Sequence, residues 1–193
     1  MRPDLSQVAV FLDRDGTINE EMGYINHLSR LVLLPGAAAG IARLNRAGLK
    51  VLVVTNQSGV ARGYFPAEMV ERVHARLMEL LVAGGARLDG IYTCLHGPQD
   101  GCDCRKPKPG LLLQAAAEHG LDLRRCYLVG DRYNDLLTAA AAGAQGILVL
   151  TGYGRGELEL HSAAWEIRPR KVAADLEEAA RFILAELGLE PAP

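Results

Sequence analysis

The sequence has little net charge, few aromatic residues and no long hydrophobic run. Its 193 residues carry a formal net charge of −2 and only 5% aromatic residues, which argues against a basic, base-stacking surface for nucleic acid. No apolar stretch approaches the ~20 residues that a membrane-spanning helix needs. The opening segment 1–7 is polar and lacks a secretory signal pattern. We therefore expect a cytoplasmic protein that binds neither nucleic acid nor a membrane.

Cysteine is also scarce, with four residues in the chain. In a reducing compartment such cysteines are metal ligands or free thiols rather than disulfides. Cys94 and His96, followed after a five-residue gap by Cys102 and Cys104, form a CxH…CxC pattern. Three thiolates and one imidazole suit a closed, tetrahedral structural zinc site. The alternative is that these are free thiols packed in the core, which is our interpretation of Cys126.

Apolar runs and amphipathic segments alternate along the rest of the chain. The predicted strands are 8–12, 49–54, 90–93, 126–130 and 146–150. The predicted helices are 37–47, 66–83, 110–119, 134–142 and 175–187, with a long polar loop over 14–35. This alternation predicts an α/β fold, a Rossmann-like three-layer sandwich with a parallel sheet between helices. We expect residues 1–193 to form a single domain without a large cap.

An acidic pair follows the first predicted strand, in the segment Asp13-Arg14-Asp15-Gly16-Thr17. Ligands of open parallel sheets bind at the carboxyl ends of the strands. If the extended backbone continues, Asp13 and Asp15 point the same way and Arg14 points away. Two such carboxylates repel unless a cation lies between them or one of them stays protonated, and Mg²⁺ prefers oxygen ligands of this kind. Gly16 permits a sharp turn, and Thr17 offers a hydroxyl and an N–H to a phosphoryl oxygen. The alternative is a solvated Asx turn.

Further polar residues come at the ends of later strands or in the loops that follow them. They are Thr55 and Asn56, Arg105 and Lys106, and Asp131 with Asp135. Each has an ordinary explanation by itself: a turn cap, a solvated basic loop, or acidic residues at a helix N-terminus. Because the carboxyl ends of parallel strands share one edge, these groups converge with the acidic pair. Together they predict a site for phosphoryl transfer.

Each residue type suits a step of that chemistry. Asp13 is the predicted nucleophile, which forms an aspartyl-phosphate. Asp15 protonates the leaving oxygen and then deprotonates the attacking water. Thr55 and Lys106 bind the equatorial phosphoryl oxygens, where charge accumulates in the transition state. Asp131 completes the Mg²⁺ site with Asp13 and the main-chain carbonyl of Asp15.

These motifs resemble those of the haloacid dehalogenase-like phosphatases. The segment Asp13-Arg14-Asp15-Gly16-Thr17, then Thr55, Lys106 and Gly130-Asp131, match the four motifs in order. The resemblance covers almost the whole chain. It implies a Rossmann-like sheet with a pair of insertions after the first strand, in the place that residues 14–35 occupy.

Within that superfamily the Cys/His loop is similar to those of two families. One is the D-glycero-D-manno-heptose 1,7-bisphosphate 7-phosphatase family, and the other is the histidinol phosphatases. The five-residue gap before Cys102 resembles the histidinol enzymes, whereas residues 55–63, Gly23-Tyr24 and residues 105–110 resemble the heptose enzymes. The heptose resemblance implies removal of the C7 phosphate in the biosynthesis of nucleotide-activated heptose for lipopolysaccharide or other cell-surface carbohydrate. Dephosphorylation of histidinol phosphate is the alternative.

The resemblance also implies the ligands and cofactors. The implied substrate contacts are Glu21, Met22, Gly23, Tyr24, Thr55, Asn56, Gln57, Ser58, Arg105, Lys106 and Arg132. The implied cofactors are a catalytic Mg²⁺ and a structural Zn²⁺, and the only partner of the expected monomer is a small sugar phosphate. Arg132 stands where the heptose family commonly has lysine, which keeps a cation but changes its geometry from a point charge to a fork.

Other residues and other classes of function are less favoured. Arg62 either adds a cation for a bisphosphate or is simply solvated. The remaining histidines, His27, His74, His119 and His161, show no partner pattern and are interpreted as structural. A zinc-knuckle binding module predicts a basic, aromatic surface that this chain lacks. A phosphotransferase that uses the same aspartate calls for a lid that excludes water, and the loop lengths predict none.

Overall fold

The computed structural model describes residues 3–189. Its strands are β1 Ala9–Leu12, β2 Lys50–Asn56, β3 Gly90–Cys94, β4 Tyr127–Gly130, β5 Gln145–Val149 and β6 Lys171–Ala173. Its α-helices are α1 Ala37–Arg46, α2 Ala67–Ala83, α3 Gly110–His119, α4 Tyr133–Ala142, α5 Gly154–His161 and α6 Leu176–Glu186. The strands form one parallel sheet in the order β3-β2-β1-β4-β5-β6.

The centre of this sheet is the point where the chain changes direction. It runs from β1 outward to β2 and β3, then returns to place β4 on the other side of β1. In open α/β sheets this switch leaves a crevice at the carboxyl ends of the two central strands. The N–H of Asp13 donates to the Val129 carbonyl at 2.9 Å, so the ends of β1 and β4 are tied together at that crevice.

The strands are buried on both faces, as parallel strands covered by helices are. On β1, Val10 and Leu12 pack into a core shared with α1, α2 and α6. Phe11, between them, packs into a second core with α3 and α4 on the other face. This alternation confirms the three-layer α/β prediction and holds β1 rigid up to the residue before Asp13.

Every strand and helix predicted from the sequence is present, with bounds within two residues of the prediction. The sequence interpretation missed α5 and β6. β6 is an edge strand of three residues without an apolar run, and α5 begins at a glycine and carries few apolar residues. Residues 14–35 are mostly irregular, with isolated bridges at Asn19 and a short 3-10 helix. No helix among residues 3–189 is long and apolar enough to cross a membrane.

Candidate active site

A polar cavity of about 320 Å³ opens at the carboxyl ends of the strands. Its lining includes most of the predicted site residues: Asp13, Asp15, Glu21, Gly23, Tyr24, Thr55, Asn56, Ser58, Arg105, Lys106 and Arg132. It also includes Arg62, Asn134, Asp135 and Tyr153. Two predicted substrate contacts, Met22 and Gln57, are not part of this lining. Met22 packs against the first core instead, and Gln57 is buried beneath the cavity.

Lys106 brings its positive charge to the end of β1. Its side chain is 5% exposed, and Nζ lies 2.9 Å from Asp13 Oδ1 and 2.6 Å from Asp135 Oδ1. Burial by itself would lower the pKa of Lys106, but the two carboxylates outweigh it and raise that pKa. The lysine is therefore charged at neutral pH and faces the predicted nucleophile.

Asp13, Asp131 and Asp135 form a carboxylate cluster, with one oxygen of each within 4.8 Å of the others. Burial, followed by mutual repulsion, raises the pKa of Asp13 to about 7 and that of Asp131 to about 8. Asp131 Oδ1 is buried and has no hydrogen-bond partner. An unpartnered carboxylate oxygen in an oxygen-rich cluster is the environment that Mg²⁺ binds. These residues therefore fit a divalent cation.

The second oxygen of Asp131 is held by the loop after β5. Oδ2 accepts the N–H of Tyr153 at 2.8 Å. Gly16, with a φ of +80°, and Gly152, with a φ of +53°, both approach Asp131 so closely that a Cβ at either position would overlap its carboxylate. Glycine at these two positions lets the turn after β1 and the loop after β5 close around the cluster.

Asp15 lies in a contrasting environment, which we call the donor ring: Arg14, Asn19 and Gln57. Its Oδ1 accepts from Arg14 Nε and Nη2 and from Asn19 Nδ2 at 2.9–3.2 Å. Its Oδ2 accepts from Arg14 Nη2 at 2.7 Å and Gln57 Nε2 at 2.8 Å. Burial would raise the pKa of Asp15, but the Arg14 guanidinium and these hydrogen bonds outweigh it and lower that pKa. The ring favours the carboxylate form.

The expected orientation of Arg14 is wrong. The alternation rule applies to a strand, and β1 ends at Leu12, so residues 13–15 belong to the turn that follows. The Arg14 side chain is 1% exposed and forms a two-pronged ion pair with Asp15. Thr17 also departs from expectation, because its N–H donates to the Arg14 carbonyl and its buried hydroxyl does not line the cavity.

Gln57 connects the donor ring to the predicted phosphate-binding hydroxyl. Its Nε2 donates to Asp15 Oδ2 and, at 2.9 Å, to Thr55 Oγ1. Because Thr55 Oγ1 accepts this bond, its own hydroxyl hydrogen is available to a group in the cavity. Gln57 therefore orients two residues of the site from below.

The Cys/His cluster assembles as the spacing predicts. Cys94 Sγ, His96 Nδ1, Cys102 Sγ and Cys104 Sγ all lie within 4.8 Å of one another, and the shortest pair is Cys94–Cys104 at 2.9 Å. Four soft ligand atoms converging on one point match a tetrahedral zinc site. The donor set therefore fits zinc. Cys126 packs in the second core, as interpreted.

The Cys/His cluster is connected to Lys106 through the backbone of one loop. Lys106 follows Cys104 by two residues, and its N–H and C=O both bond to the Asn56 carboxamide at 3.1 Å. Lys108, on the other side, donates to the Cys102 carbonyl at 2.8 Å. Asn56, at the end of β2, thereby fixes the position of the Lys106 main chain relative to the sheet.

Three arginines surround the mouth of the cavity: Arg62, Arg105 and Arg132. The Arg132 guanidinium stacks on the Tyr153 ring, 3.8 Å from its centroid, and Arg105 Nη1 donates to the His96 carbonyl at 3.2 Å. Glu21 faces the same cavity, where burial raises its pKa. The mouth is therefore cationic, suited to a second anionic group beyond the one at Asp13.

Comparison with known proteins agrees with this geometry. Residues 103–179 match the HAD-hydrolase-like family model. The D-glycero-beta-D-manno-heptose-1,7-bisphosphate 7-phosphatase of Pseudomonas putida is 48% identical over 151 residues, covering 78% of this chain and 86% of that protein. The D-glycero-D-manno-heptose-1,7-bisphosphate 7-phosphatase of Thermosynechococcus vestitus is 44% identical over 190 residues, 93% of this chain and 96% of that protein.

The chain belongs to the haloacid dehalogenase-like phosphatases. Both of the relatives named above are heptose bisphosphate phosphatases, in agreement with the main resemblance and not with the histidinol alternative. A solved structure of D,D-heptose 1,7-bisphosphate phosphatase from Bordetella bronchiseptica, complexed with magnesium and phosphate, superimposes with a TM-score of 0.86 at 37% identity. That match covers 93% of this chain and 99% of the other.

Proposed function

We propose that this phosphatase removes the C7 phosphate of D-glycero-D-manno-heptose 1,7-bisphosphate. The observation that carries the proposal is the pairing of two sites in one cavity. Asp13 and Lys106 line its buried end, with a carboxylate oxygen of the buried Asp131 within 4.8 Å of Asp13, and three more exposed arginines line the same cavity. A bisphosphate can place one phosphoryl group beside Asp13 and the other beside these arginines. Histidinol phosphate carries an ammonium group instead, which the cationic mouth repels.

In the first half of the reaction, Asp13 attacks phosphorus and the bond from phosphorus to the sugar C7 oxygen breaks. Asp15 gives its proton to that departing oxygen. The donor ring favours the ionised form of Asp15, whereas the approach of a phosphate dianion favours the protonated form. Substrate binding is therefore expected to protonate Asp15, which can then act as the general acid. Lys106 and Thr55 bind the oxygens on which charge accumulates.

In the second half, a water molecule attacks the aspartyl-phosphate and Asp15, now ionised, takes its proton. The P–O bond to Asp13 breaks and inorganic phosphate leaves. The donor ring favours this half directly, because its hydrogen bonds hold Asp15 as a carboxylate. One residue thus serves as acid and then as base. Asp15 is protonated again after the attack of water, and the proton taken up on substrate binding returns to solvent when inorganic phosphate leaves, because the donor ring then favours the carboxylate.

Mg²⁺ would be held by Asp13, Asp131 and the main-chain carbonyl of Asp15. When bound, it offsets the repulsion between carboxylates and phosphate. Asp135 belongs to the same cluster, but its oxygens already bond to Lys106 Nζ and to the Arg132 N–H. We assign Asp135 to positioning the Lys106 ammonium and the main chain at Arg132, where it caps α4.

Zn²⁺ would be held by Cys94, His96, Cys102 and Cys104, in a closed site with a structural role. Its removal is expected to disorder the loop and lower activity through Lys106. The check is zinc content alongside phosphatase activity as zinc is stripped and restored in the presence of Mg²⁺. Unchanged activity in zinc-free protein would contradict this role.

The test of the substrate is phosphate release with Mg²⁺ from heptose bisphosphate and from histidinol phosphate. We expect a higher kcat/KM for the bisphosphate. Faster turnover of histidinol phosphate would overturn the assignment. A cytoplasmic, monomeric enzyme of one domain remains our prediction, which cell fractionation and light scattering check.

A further inference from the structure

The buried guanidinium of Arg14 is oriented entirely by protein groups. The side chain is 1% exposed, so solvent contributes little to its orientation. Nε and Nη2 face Asp15, and Nη1 lies 3.2 Å from His74 Nε2. Arginine has only donors, so His74 Nε2 accepts this hydrogen bond and the neutral ring carries its proton on Nδ1. His74 is thus the acceptor for the arm of Arg14 that Asp15 does not bind.

His74 reaches this position from α2, outside the site described so far. One side of it lines a surface groove with Met78, Leu88 and Ile91, and its Nε2 points inward to the turn after β1. Burial, and then the neighbouring Arg14 charge, lower the pKa of His74 to about 4. The ring is therefore a neutral acceptor at any pH near neutrality. The sequence interpretation of His74 as merely structural did not anticipate this contact.

We propose that His74 is a positioning residue for Asp15, acting through the guanidinium of Arg14. This role rests on the acid/base function proposed for Asp15. A guanidinium fixed at one end by Asp15 alone can pivot about that ion pair, whereas a second fixed acceptor on α2 prevents the pivot. His74 therefore ties the direction of the Asp15 carboxylate to the helix layer.

The direction of Asp15 matters because proton transfer to the leaving oxygen requires hydrogen-bond geometry. A displacement of about 1 Å can cost about 100-fold in rate. Nucleophilic attack by Asp13 does not depend on Asp15 in the same way when the leaving group is a good one. Loss of the His74 contact should therefore slow the departure of an alcohol much more than the departure of a phenolate.

A matched pair of substitutions isolates the hydrogen bond. The side-chain oxygen of His74→Gln can occupy the position of Nε2, while His74→Asn is also a neutral amide but is one methylene too short to reach Arg14. His74→Ala is the second variant should the Asn protein fail to fold. The measured quantity is kcat/KM, which reports only steps through the departure of the leaving group. The substrates are heptose bisphosphate and p-nitrophenyl phosphate, whose phenolate leaves without protonation.

We expect His74→Asn to lower kcat/KM about tenfold for heptose bisphosphate, a part of the 10²–10⁴-fold that general acid catalysis supplies. The same variant should change kcat/KM for p-nitrophenyl phosphate less than about twofold. His74→Gln should stay within about threefold of the parent on both substrates. Asp15→Asn should show the same selectivity with a larger loss, about 100-fold on the sugar phosphate.

Equal losses on both substrates, or no loss, in His74→Asn or its Ala substitute would overturn the role of His74. If Asp15→Asn is selective for the sugar phosphate in that experiment, the proposed function of Asp15 stands and only the role of His74 fails. If Asp15→Asn itself shows no selectivity, the acid role of Asp15 fails and the role of His74 falls with it. The two failures are therefore distinguishable.

Discussion

Asp13 and Asp15 are two residues apart, yet their carboxylates lie in regions of opposite character. Asp13 belongs to the carboxylate cluster, where burial and like charges raise its pKa to about 7. Asp15 lies in the donor ring, whose hydrogen bonds and guanidinium lower its pKa. The three carboxylates of the cluster share a single lysine ammonium, that of Lys106, and the cluster fits a metal ion, whereas both oxygens of Asp15 already have hydrogen-bond donors in the ring. One turn of backbone thus separates the proposed nucleophile from the proposed proton carrier.

The largest effect is expected from neutralising Asp13, the proposed nucleophile. Asp13→Asn should reduce kcat by about 10⁴-fold or more, because it removes the carboxylate that we propose forms the covalent intermediate. The exposed carboxylate variant Glu159→Gln is the control and should keep full activity. Steady-state phosphate release checks both, with the melting temperature as a measure of folding. Retained activity in Asp13→Asn would contradict the mechanism.

The cluster also depends on its one buried cation. Lys106→Met leaves Asp13 and Asp135 without their partner, and breaking a buried ion pair in this way costs about 3–5 kcal/mol. Denaturant unfolding without Mg²⁺ should show that loss, and activity should fall as well. Lys108→Met, two residues on, removes a half-exposed lysine whose ion pair is worth only about 0–1 kcal/mol. Equal destabilisation by the two variants would contradict the account.

The contributions of the carboxylate cluster and of Asp15 to folding stability should depend on pH with opposite signs. The folded pKa values of Asp13 and Asp131, about 7 and about 8, exceed the unfolded value, so their protonated forms stabilise the metal-free fold. That stability is lost as pH rises through these values. The lowered pKa of Asp15 adds stability that is lost only in acid, as pH falls through its folded pKa.

Without Mg²⁺, Tm should therefore decrease from pH 7 to pH 8, a window above the unfolded His74 pKa of about 6.5. Saturating Mg²⁺ should raise Tm at pH 8 and reduce this slope, because the ion replaces the protons. Asp131→Asn should weaken both effects, and Asp15→Asn should leave the slope in place. Thermal melts across that range with and without Mg²⁺ provide the check. An increase of Tm with pH over this range would show that ionisation of Asp13 and Asp131 does not destabilise the metal-free fold.

The same contrast explains what the sequence could predict. Asp13, Thr55 and Asp131 each follow an apolar run whose strand character is plain, so their convergence follows from parallel topology alone. The Cys/His loop is equally local, because a short ligand spacing brings its atoms together. The predicted bounds of the ten anticipated elements followed from periodicity and capping residues.

The donor ring could not be predicted in this way. Arg14 lies just beyond the strand, where alternation no longer applies, and its burial depends on an acceptor sixty residues away on α2. Gln57 was predicted to contact substrate from the family resemblance of residues 55–58, yet its amide nitrogen donates to Asp15 and Thr55. A buried arginine has no sequence signature, although the Asp-Arg-Asp pattern itself could have suggested a local pair.

The smallest effect concerns the cationic mouth. Tyr153→Ala removes the ring under Arg132, and loss of a cation–π contact of about 1 kcal/mol should raise KM for the heptose bisphosphate about fivefold. Tyr153→Phe keeps the ring and should match the parent enzyme. A sugar monophosphate that lacks the second phosphoryl group serves as the control substrate. A similar rise in KM for that substrate would show that Tyr153 acts elsewhere.

The central claim is that Asp13, and not Asp15, carries the phosphoryl group. The most direct measurement is to quench the enzyme during turnover, reduce the acyl-phosphate with borohydride and locate the reduced side chain by peptide mass spectrometry. The account predicts reduction at Asp13 alone, with none in Asp13→Asn. Reduction at Asp15 or Asp131, or none during full turnover, would contradict it.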